Sequence, residues 1–180
     1  MNFSDLLQSV NSIEEKYPPV HLWNPDLCEG VEMKIDREGN WFYQGSIIGR
    51  DKLKILFSRI LKFEDGNYYL VTPVEKVAVN ADLAPYMIVD YEVDSDYQNI
   101  ILKTNLDLSI PLDHEHKLEL KKIGDEHIPF VHVRNNIEGF ISRSVYYSLI
   151  EIALKQDHNS QNQLSLKSFD CIFDLGKMND

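Results

Sequence analysis

The chain has 180 residues, of which 43% are hydrophobic and 26% charged, so it can bury the core of one globular domain or of two small ones. Its 29 acidic and 18 basic side chains give a net charge of −11, which argues against binding to nucleic acids or anionic membranes. No apolar run is long enough to span a membrane and no signal peptide is recognisable at the start, so we expect a cytoplasmic protein.

The first part of the chain is predicted to hold a helix, an extended segment and a hairpin. Apolar residues at helical spacing predict a helix over residues 4–16, which two prolines terminate. Residues 20–25 are bounded by prolines and extended, and Trp23 within them is either a packing residue or a platform for a ligand ring. Val31, Met33 and Ile35 alternate with charged residues, and a turn through Gly39-Asn40 leads into Trp41-Phe42-Tyr43, which predicts a β-hairpin over residues 31–45.

A helix over residues 50–62 is the most regular feature of the first half. It follows Gly45 and Gly49, and its apolar stripe consists of Leu53, Leu56, Phe57, Ile60 and Leu61. Arg50 stands at the start, where the helix dipole disfavours a cation by about 0.3–1 kcal/mol. Either a carboxylate partner within the protein or an anionic ligand is expected to offset that cost.

The chain then alternates short strands and turns as far as residue 134. We predict irregular structure over 106–111 and strands over residues 68–72, 75–79, 86–93, 99–104, 117–123 and 128–134. A proline-containing connection begins near residue 80, so the predicted domains are 1–80 and 81–180. The fold class is α+β, with two small domains and mostly antiparallel sheet.

A second copy of the hairpin, glycine and helix motif follows residue 134. Arg143 aligns with Arg50 at an offset of 93 residues, and the apolar positions of a helix ending near Gln156 fall on those of the first helix. The second helix is apolar over a wider arc, which predicts deeper burial. One further strand is expected within residues 164–175, through Phe169, Cys171 and Phe173.

The motifs of common enzymes are absent. The chain has no phosphate-binding loop, dinucleotide fingerprint, zincin motif or nucleophile elbow, and these residues imply no cofactor. Cys28 and Cys171 are predicted to be free thiols. His114 and His116 would share one face of a strand and could bind a metal with His127 or His132, and the alternative is a solvated turn.

The two arginines at the helix starts define the candidate site. If the two domains face each other, Arg50 and Arg143 point toward the junction, where ligand pockets commonly form. Further contributors could be Arg134, Lys76, Glu75, Trp23, Trp41 and Tyr43. Two guanidinium groups beside aromatic rings suit an anionic, ring-bearing ligand such as a nucleotide. The alternative is that each arginine pairs with an acidic residue of its own domain.

Three sequence segments carry a family resemblance. They are Pro18-Pro19-Val20-His21-Leu22-Trp23-Asn24-Pro25, Gly39-Asn40-Trp41-Phe42-Tyr43-Gln44-Gly45-Ser46-Ile47-Ile48-Gly49-Arg50 and Tyr68-Tyr69-Leu70-Val71-Thr72-Pro73-Val74-Glu75-Lys76. Over about residues 17–156 the chain resembles a proteobacterial family of domains of unknown function, number twelve eighty-five. The resemblance implies a two-domain α+β fold with a repeated motif, a nucleotide-like ligand between the domains, and a part in signalling. The chain departs from the family at Glu138-Gly139-Phe140, where a residue smaller than Phe is usual.

Three functional hypotheses remain open. In the first, the protein binds a small anionic ligand without catalysis, which requires Arg50 or Arg143 to be exposed and unpaired. In the second, it is a protein-interaction module with an exposed apolar patch and no deep pocket. In the third, it is an enzyme with an uncommon site, metal-assisted through His114 and His116 or acid–base through Glu75.

Overall fold

The chain forms two units that divide between Pro85 and Tyr86, each built around a six-stranded sheet. The computed structural model describes residues 17–156 and 163–177. The helix predicted over residues 4–16 lies outside these described residues. Within them, no helix is long and apolar enough to cross a membrane.

Within its described residues, the N-terminal unit contains six strands and one α-helix. After a 3₁₀ turn at Val20–Leu22, the elements are β1 (Met33–Ile35), β2 (Trp41–Tyr43), β3 (Ser46–Ile47), α1 (Asp51–Arg59), β4 (Leu61–Glu64), β5 (Asn67–Val71) and β6 (Lys76–Ala81). The strand order in the sheet is β3-β2-β1-β6-β5-β4. Only the central pair, β1 and β6, is parallel, so the mostly antiparallel sheet predicted from the sequence is confirmed for this unit.

Helix α1 is shorter than predicted because the end of its apolar stripe belongs to a strand. The helix ends at Arg59, and Leu61 begins β4, where it pairs with Leu70 of β5. Ile60 and Leu61 are both buried, so the apolar spacing continues across the helix end into a neighbouring strand of the same core. The core contact of the helix is made by Phe57, whose ring stacks on Trp41 with 6.4 Å between centroids.

The described part of the C-terminal unit contains a second six-stranded sheet, one helix and a separate hairpin. Its elements are β7 (Tyr86–Val93), β8 (Ile100–Thr104), β9 (Ser109–Pro111), β10 (Leu118–Ile123), β11 (Glu126–Arg134), β12 (Ile137–Ile141), α2 (Arg143–Lys155), β13 (Gln163–Ser168) and β14 (Cys171–Lys177). The strand order is β10-β11-β12-β7-β8-β9, again with one parallel pair at the centre, β7 and β12. The irregular structure predicted over 106–111 is wrong at its end, where β9 pairs with β8.

The two sheets repeat one topology, although the two helices occupy different places in it. In each unit three consecutive strands run from the centre to one edge, and three more run from the other edge back to the centre. Helix α1 connects the two edge strands of its sheet, whereas α2 follows the central strand β12. The hairpin and helix motif therefore occurs twice, but Arg50 and Arg143 do not stand at equivalent points of the two sheets.

Helix α2 packs one face on the core and exposes the other. Val145, Leu149 and Ile152 are buried, but Tyr147 and Leu154 are 57% and 58% exposed. Helix α2 has four buried residues against two in α1, as the wider apolar arc predicted, but its outer side is exposed. Ser142 caps the helix by accepting a hydrogen bond from the Val145 N–H at 3.4 Å.

The last described segment is a hairpin, not the single strand predicted. Strands β13 and β14 pair antiparallel around a two-residue turn at Phe169 and Asp170, both of which have positive φ. The buried Gln156 joins the end of α2 to this hairpin. Its Nε2 donates to the Lys167 carbonyl at 2.9 Å, and its Oε1 accepts from the Lys167 N–H at 2.7 Å.

Candidate functional site

A surface pocket of about 420 Å³ lies at the start of helix α1. It is lined by Tyr43, Ser46, Ile47, Ile48, Gly49, Arg50 and Leu53. The pocket forms because β2 and β3 join through a tight turn at Gln44 and Gly45, both with positive φ, and the chain then turns into the helix. This geometry brings two of the predicted site residues, Tyr43 and Arg50, to one place.

Arg50 is an exposed N-cap residue whose side chain pairs with no acidic residue in the described ranges, 17–156 and 163–177. Its backbone is extended, its side chain caps no helix N–H, and it takes part in no ion pair among the described residues. The neighbouring acid, Asp51, is held instead by Lys54, at 2.7 Å between carboxylate oxygen and ammonium. The internal ion pair that the sequence offered as an alternative for Arg50 is therefore not formed within the described residues.

The other two predicted arginines lie in the C-terminal unit. Arg143 is the first residue of α2, exposed, and likewise without an ion pair in the part of the chain that the structure describes. Arg134 is half-buried at the end of β11, and its Nε donates to the Tyr86 hydroxyl at 3.0 Å. Tyr86 is fully buried, so Arg134 satisfies a core hydroxyl group.

Lys76 belongs to a charge cluster on the N-terminal sheet. The Glu64 carboxylate is 2.5 Å from the Lys76 ammonium and 2.7 Å from that of Lys62. These hydrogen bonds lower the pKa of Glu64 to about 2, Lys62 having the larger effect. Lys76 also lies over the Tyr69 ring, 4.2 Å from its centroid. The Lys62 ammonium donates in addition to the Trp23 carbonyl, at 3.3 Å.

Glu75 and Trp41 have clear structural roles. The Glu75 N–H donates to the Thr72 hydroxyl at 3.0 Å and its carbonyl accepts from the Thr72 N–H at 2.8 Å, which closes the turn between β5 and β6. Trp41 is fully buried, and its Nε1 has no hydrogen-bond partner among the described residues. Because its ring lies in the core against Phe57, the expectation that Trp41 offers a stacking surface to a ligand is corrected.

The sequence missed Ser46 and Ile47 as lining residues. Both follow the tight turn, in a strand of two residues that is too short to leave an alternating pattern. Ile47 is 61% exposed, an unusual value for isoleucine, and provides an apolar wall beside the arginine. Ser46 adds a hydroxyl that can donate to an anion.

The four histidines predicted as possible metal ligands lie in a turn and in strand β11 of the C-terminal unit. His114 and His116 belong to the connection between β9 and β10, so they do not share a strand face as the first interpretation required. His114 is exposed, with its Nε2 3.9 Å from the Glu115 carboxylate. Among the described residues, no group of three His, Cys, Asp or Glu side chains is arranged to hold a metal ion.

The fold and site define a two-domain, mostly antiparallel α+β protein, with a surface pocket beside Arg50 in its first domain. The chain belongs to the DUF1285 family. Residues 18–84 match its N-terminal domain, described as "Domain of unknown function (DUF1285), N-terminal domain", and residues 85–175 match its C-terminal domain, described as "Protein of unknown function (DUF1285), C-terminal domain". The family expected from the three sequence segments is therefore confirmed.

Two crystal structures of family members are similar to the chain. A DUF1285 family protein from Silicibacter pomeroyi is 36% identical, with a TM-score of 0.81, over 96% of this chain and 95% of that one. A DUF1285 family protein from Shewanella baltica is 28% identical, with a TM-score of 0.56, over 69% of this chain and 94% of that one. No match was found among curated proteins.

Proposed function

We propose that the protein binds a small anionic ligand without chemical conversion, and that the pocket around Arg50 is its site. The observation that carries this proposal is the exposed Arg50 guanidinium, which lines a concave pocket and has no acidic partner among the described residues. In a chain with 29 acidic side chains, an arginine left unpaired beside a pocket is available for a ligand anion.

The surroundings of Arg50 suit both the anionic group and the ring of such a ligand. The first N–H groups of α1 have no acceptor within the helix, so an anion beside Arg50 would meet them as well as the guanidinium. Tyr43, Ile47 and Leu53 line the pocket and supply apolar surface for a ring. A volume of about 420 Å³ falls in the usual range for small-molecule sites, about 300–1,000 Å³. A mononucleotide or a phosphorylated metabolite has the required charge and size.

The proposal places the protein in ligand sensing, in line with the part in signalling that the family resemblance implies. A sensor needs reversible binding and no nucleophile or metal-activated water. Arg143 belongs to the C-terminal unit and does not line this pocket, so its part in ligand binding stays a prediction from the sequence.

A protein-interaction role is the second candidate. It is favoured by the exposed face of α2, where Tyr147 and Leu154 lie seven residues apart and therefore on the same side of the helix. Apolar side chains exposed together in this way are typical of contact surfaces. This role does not need the Arg50 pocket, so the two candidates are separable by mutation.

Thermal unfolding against nucleotides and phosphorylated metabolites tests the proposed site. A ligand at 100 times its dissociation constant adds about 2.7 kcal/mol of stability. At about 2–4 °C per kcal/mol for a protein of this size, the melting temperature should rise by roughly 5–11 °C. Arg50→Gln should abolish the rise, because it removes the charge while keeping much of the side-chain length.

Lys52→Gln is the matched control, since Lys52 is an exposed cation on the same helix that does not line the pocket. This variant should keep the full response. A response of equal size in Arg50→Gln and wild type would reject the pocket. No response to any compound, together with self-association or partner capture that Tyr147→Ser abolishes, would favour the interaction role instead.

A further inference from the structure

Two histidine rings of the C-terminal unit lie side by side with their Nδ1 atoms held by oxygen acceptors. His116 Nδ1 is 3.0 Å from Asp113 Oδ1, and His132 Nδ1 is 2.9 Å from the Glu115 carbonyl oxygen. The ring centroids are 6.1 Å apart. One ring lies in the turn before β10 and the other in β11, so the turn brings together residues sixteen positions apart in sequence.

These hydrogen bonds define which ring nitrogen carries the proton. Asp113 Oδ1 already accepts the N–H groups of Glu115 and His116, each at 2.9 Å, and a backbone carbonyl can only accept. Each Nδ1 must therefore be the donor, so the neutral form of each ring carries its lone pair on Nε2. No hydrogen bond or ion pair within the described residues involves either Nε2.

We propose that His116 and His132 together bind a divalent transition metal of the zinc, nickel or copper class through their Nε2 atoms. Imidazole is the nitrogen ligand that these ions prefer. A carboxylate or carbonyl that accepts the other ring N–H is the usual outer partner of a metal-binding histidine, because it orients the ring and raises its basicity. Asp113 already accepts the Nδ1–H of His116 in this way, and the Glu115 carbonyl accepts that of His132.

The ring separation is compatible with one shared ion. With a metal–nitrogen bond of about 2.0–2.1 Å, each ring centroid lies about 3.2 Å from the metal, so two rings on one ion are at most about 6.4 Å apart. The observed 6.1 Å is within that limit. Tetrahedral geometry would bring the centroids to about 5.2 Å, which requires a shift of about 1 Å.

Water would complete the coordination of this two-histidine site. Glu138 pairs with His132 across β11 and β12, but the Lys121 ammonium bonds both of its carboxylate oxygens at 2.6 Å. A site with two protein ligands and open positions differs from the closed, four-ligand zinc sites that stabilise a fold. Its two nitrogen ligands favour Zn²⁺, Ni²⁺ or Cu²⁺ over Mg²⁺ and Ca²⁺, which prefer oxygen ligands.

Equilibrium dialysis of tag-free protein with Ni²⁺, Zn²⁺ or Mg²⁺ tests the site. We expect one Ni²⁺ or Zn²⁺ per chain and no Mg²⁺ at the same concentrations. His116→Gln and His132→Gln should each weaken binding at least tenfold. His114→Gln and His127→Gln are the matched controls and should leave the affinity within twofold, because both rings are exposed and outside the pair.

Imidazole ¹⁵N spectra provide a second test that does not depend on binding strength. The metal-free protein should show the Nδ1–H tautomer for both His116 and His132, and Zn²⁺ should shift the two Nε2 signals together. Metal binding that survives in both single variants would overturn the proposal, since other groups would then hold the ion. An Nε2–H tautomer for either ring would also overturn it.

Discussion

Replacing Gly139 by alanine tests how tightly the centre of the C-terminal sheet is packed. Gly139 lies in β12 opposite Tyr86 of the parallel strand β7. An alanine Cβ there would lie 3.0 Å from the Tyr86 Cβ, 3.2 Å from its carbonyl oxygen and 3.2 Å from a Val133 methyl carbon. Neither Tyr86 atom can rotate away, so the strands must separate locally.

The expected loss of stability in Gly139→Ala is the difference between two opposing effects. Overpacking of this kind destabilises by about 1–3 kcal/mol. Replacing a glycine within a strand recovers about 0.5–1 kcal/mol of backbone entropy. Gly139→Ala should therefore lower the free energy of unfolding by about 1 kcal/mol, and by no more than about 2.5 kcal/mol, measured by urea unfolding followed by far-UV circular dichroism.

Gly49→Ala is the matched control for this prediction. Gly49 lacks the left-handed φ of the turn glycines and has no atom within 4 Å of the added carbon. Its replacement should be neutral or stabilise by up to about 1 kcal/mol. Both tryptophans lie in the N-terminal unit, so their fluorescence gives that unit its own signal. A Gly139→Ala protein as stable as the wild type would refute the packing argument.

Three further predictions concern hydrogen bonds of the described residues. The pKa of Glu64 is lowered from an ordinary 4.5 to about 2. The hydrogen bonds of its carboxylate to Lys62 and Lys76 therefore stabilise the fold above about pH 4.5, and that contribution is lost as the pH falls toward 2. Glu64→Gln should remove this part of the acid dependence of unfolding. Ser142→Ala should cost about 0.5–1 kcal/mol in urea unfolding, because it removes the α2 cap, whereas the exposed Ser144→Ala should cost less. Gln156→Leu should cost about 1–3 kcal/mol and speed amide exchange in β13, since it leaves the backbone groups of Lys167 unpaired.

The sequence predicted the local elements of the fold better than their arrangement. The strand predicted over residues 86–93 has the observed bounds of β7, and the Gly-Asn turn identified the first hairpin. The parallel pairing of β1 with β6 was not predictable, because it joins strands separated by the whole meander and depends on tertiary packing. The offset that aligned Arg143 with Arg50 detected a local motif, whereas the topological repeat relates β1–β6 to β7–β12.

Burial explains which of the predicted site residues line the pocket and which do not. The helix dipole argument singled out Arg50, and the structure places that side chain in a pocket without an acidic partner in the described residues. An aromatic residue near the same turn gives no sequence signal for which side of the sheet it faces. Tyr43 lines the pocket, whereas Trp41, two residues earlier and in the same strand, lies in the core.

The most direct measurement of the central claim is an amide ¹H–¹⁵N titration of the protein with adenosine monophosphate. If the pocket at the start of α1 binds the anion, the largest shifts should fall on the amides of Gly49, Arg50 and Asp51, and Arg50→Gln should remove them. Shifts that cluster elsewhere, or that persist unchanged in Arg50→Gln, would contradict the claim that this pocket is the ligand site.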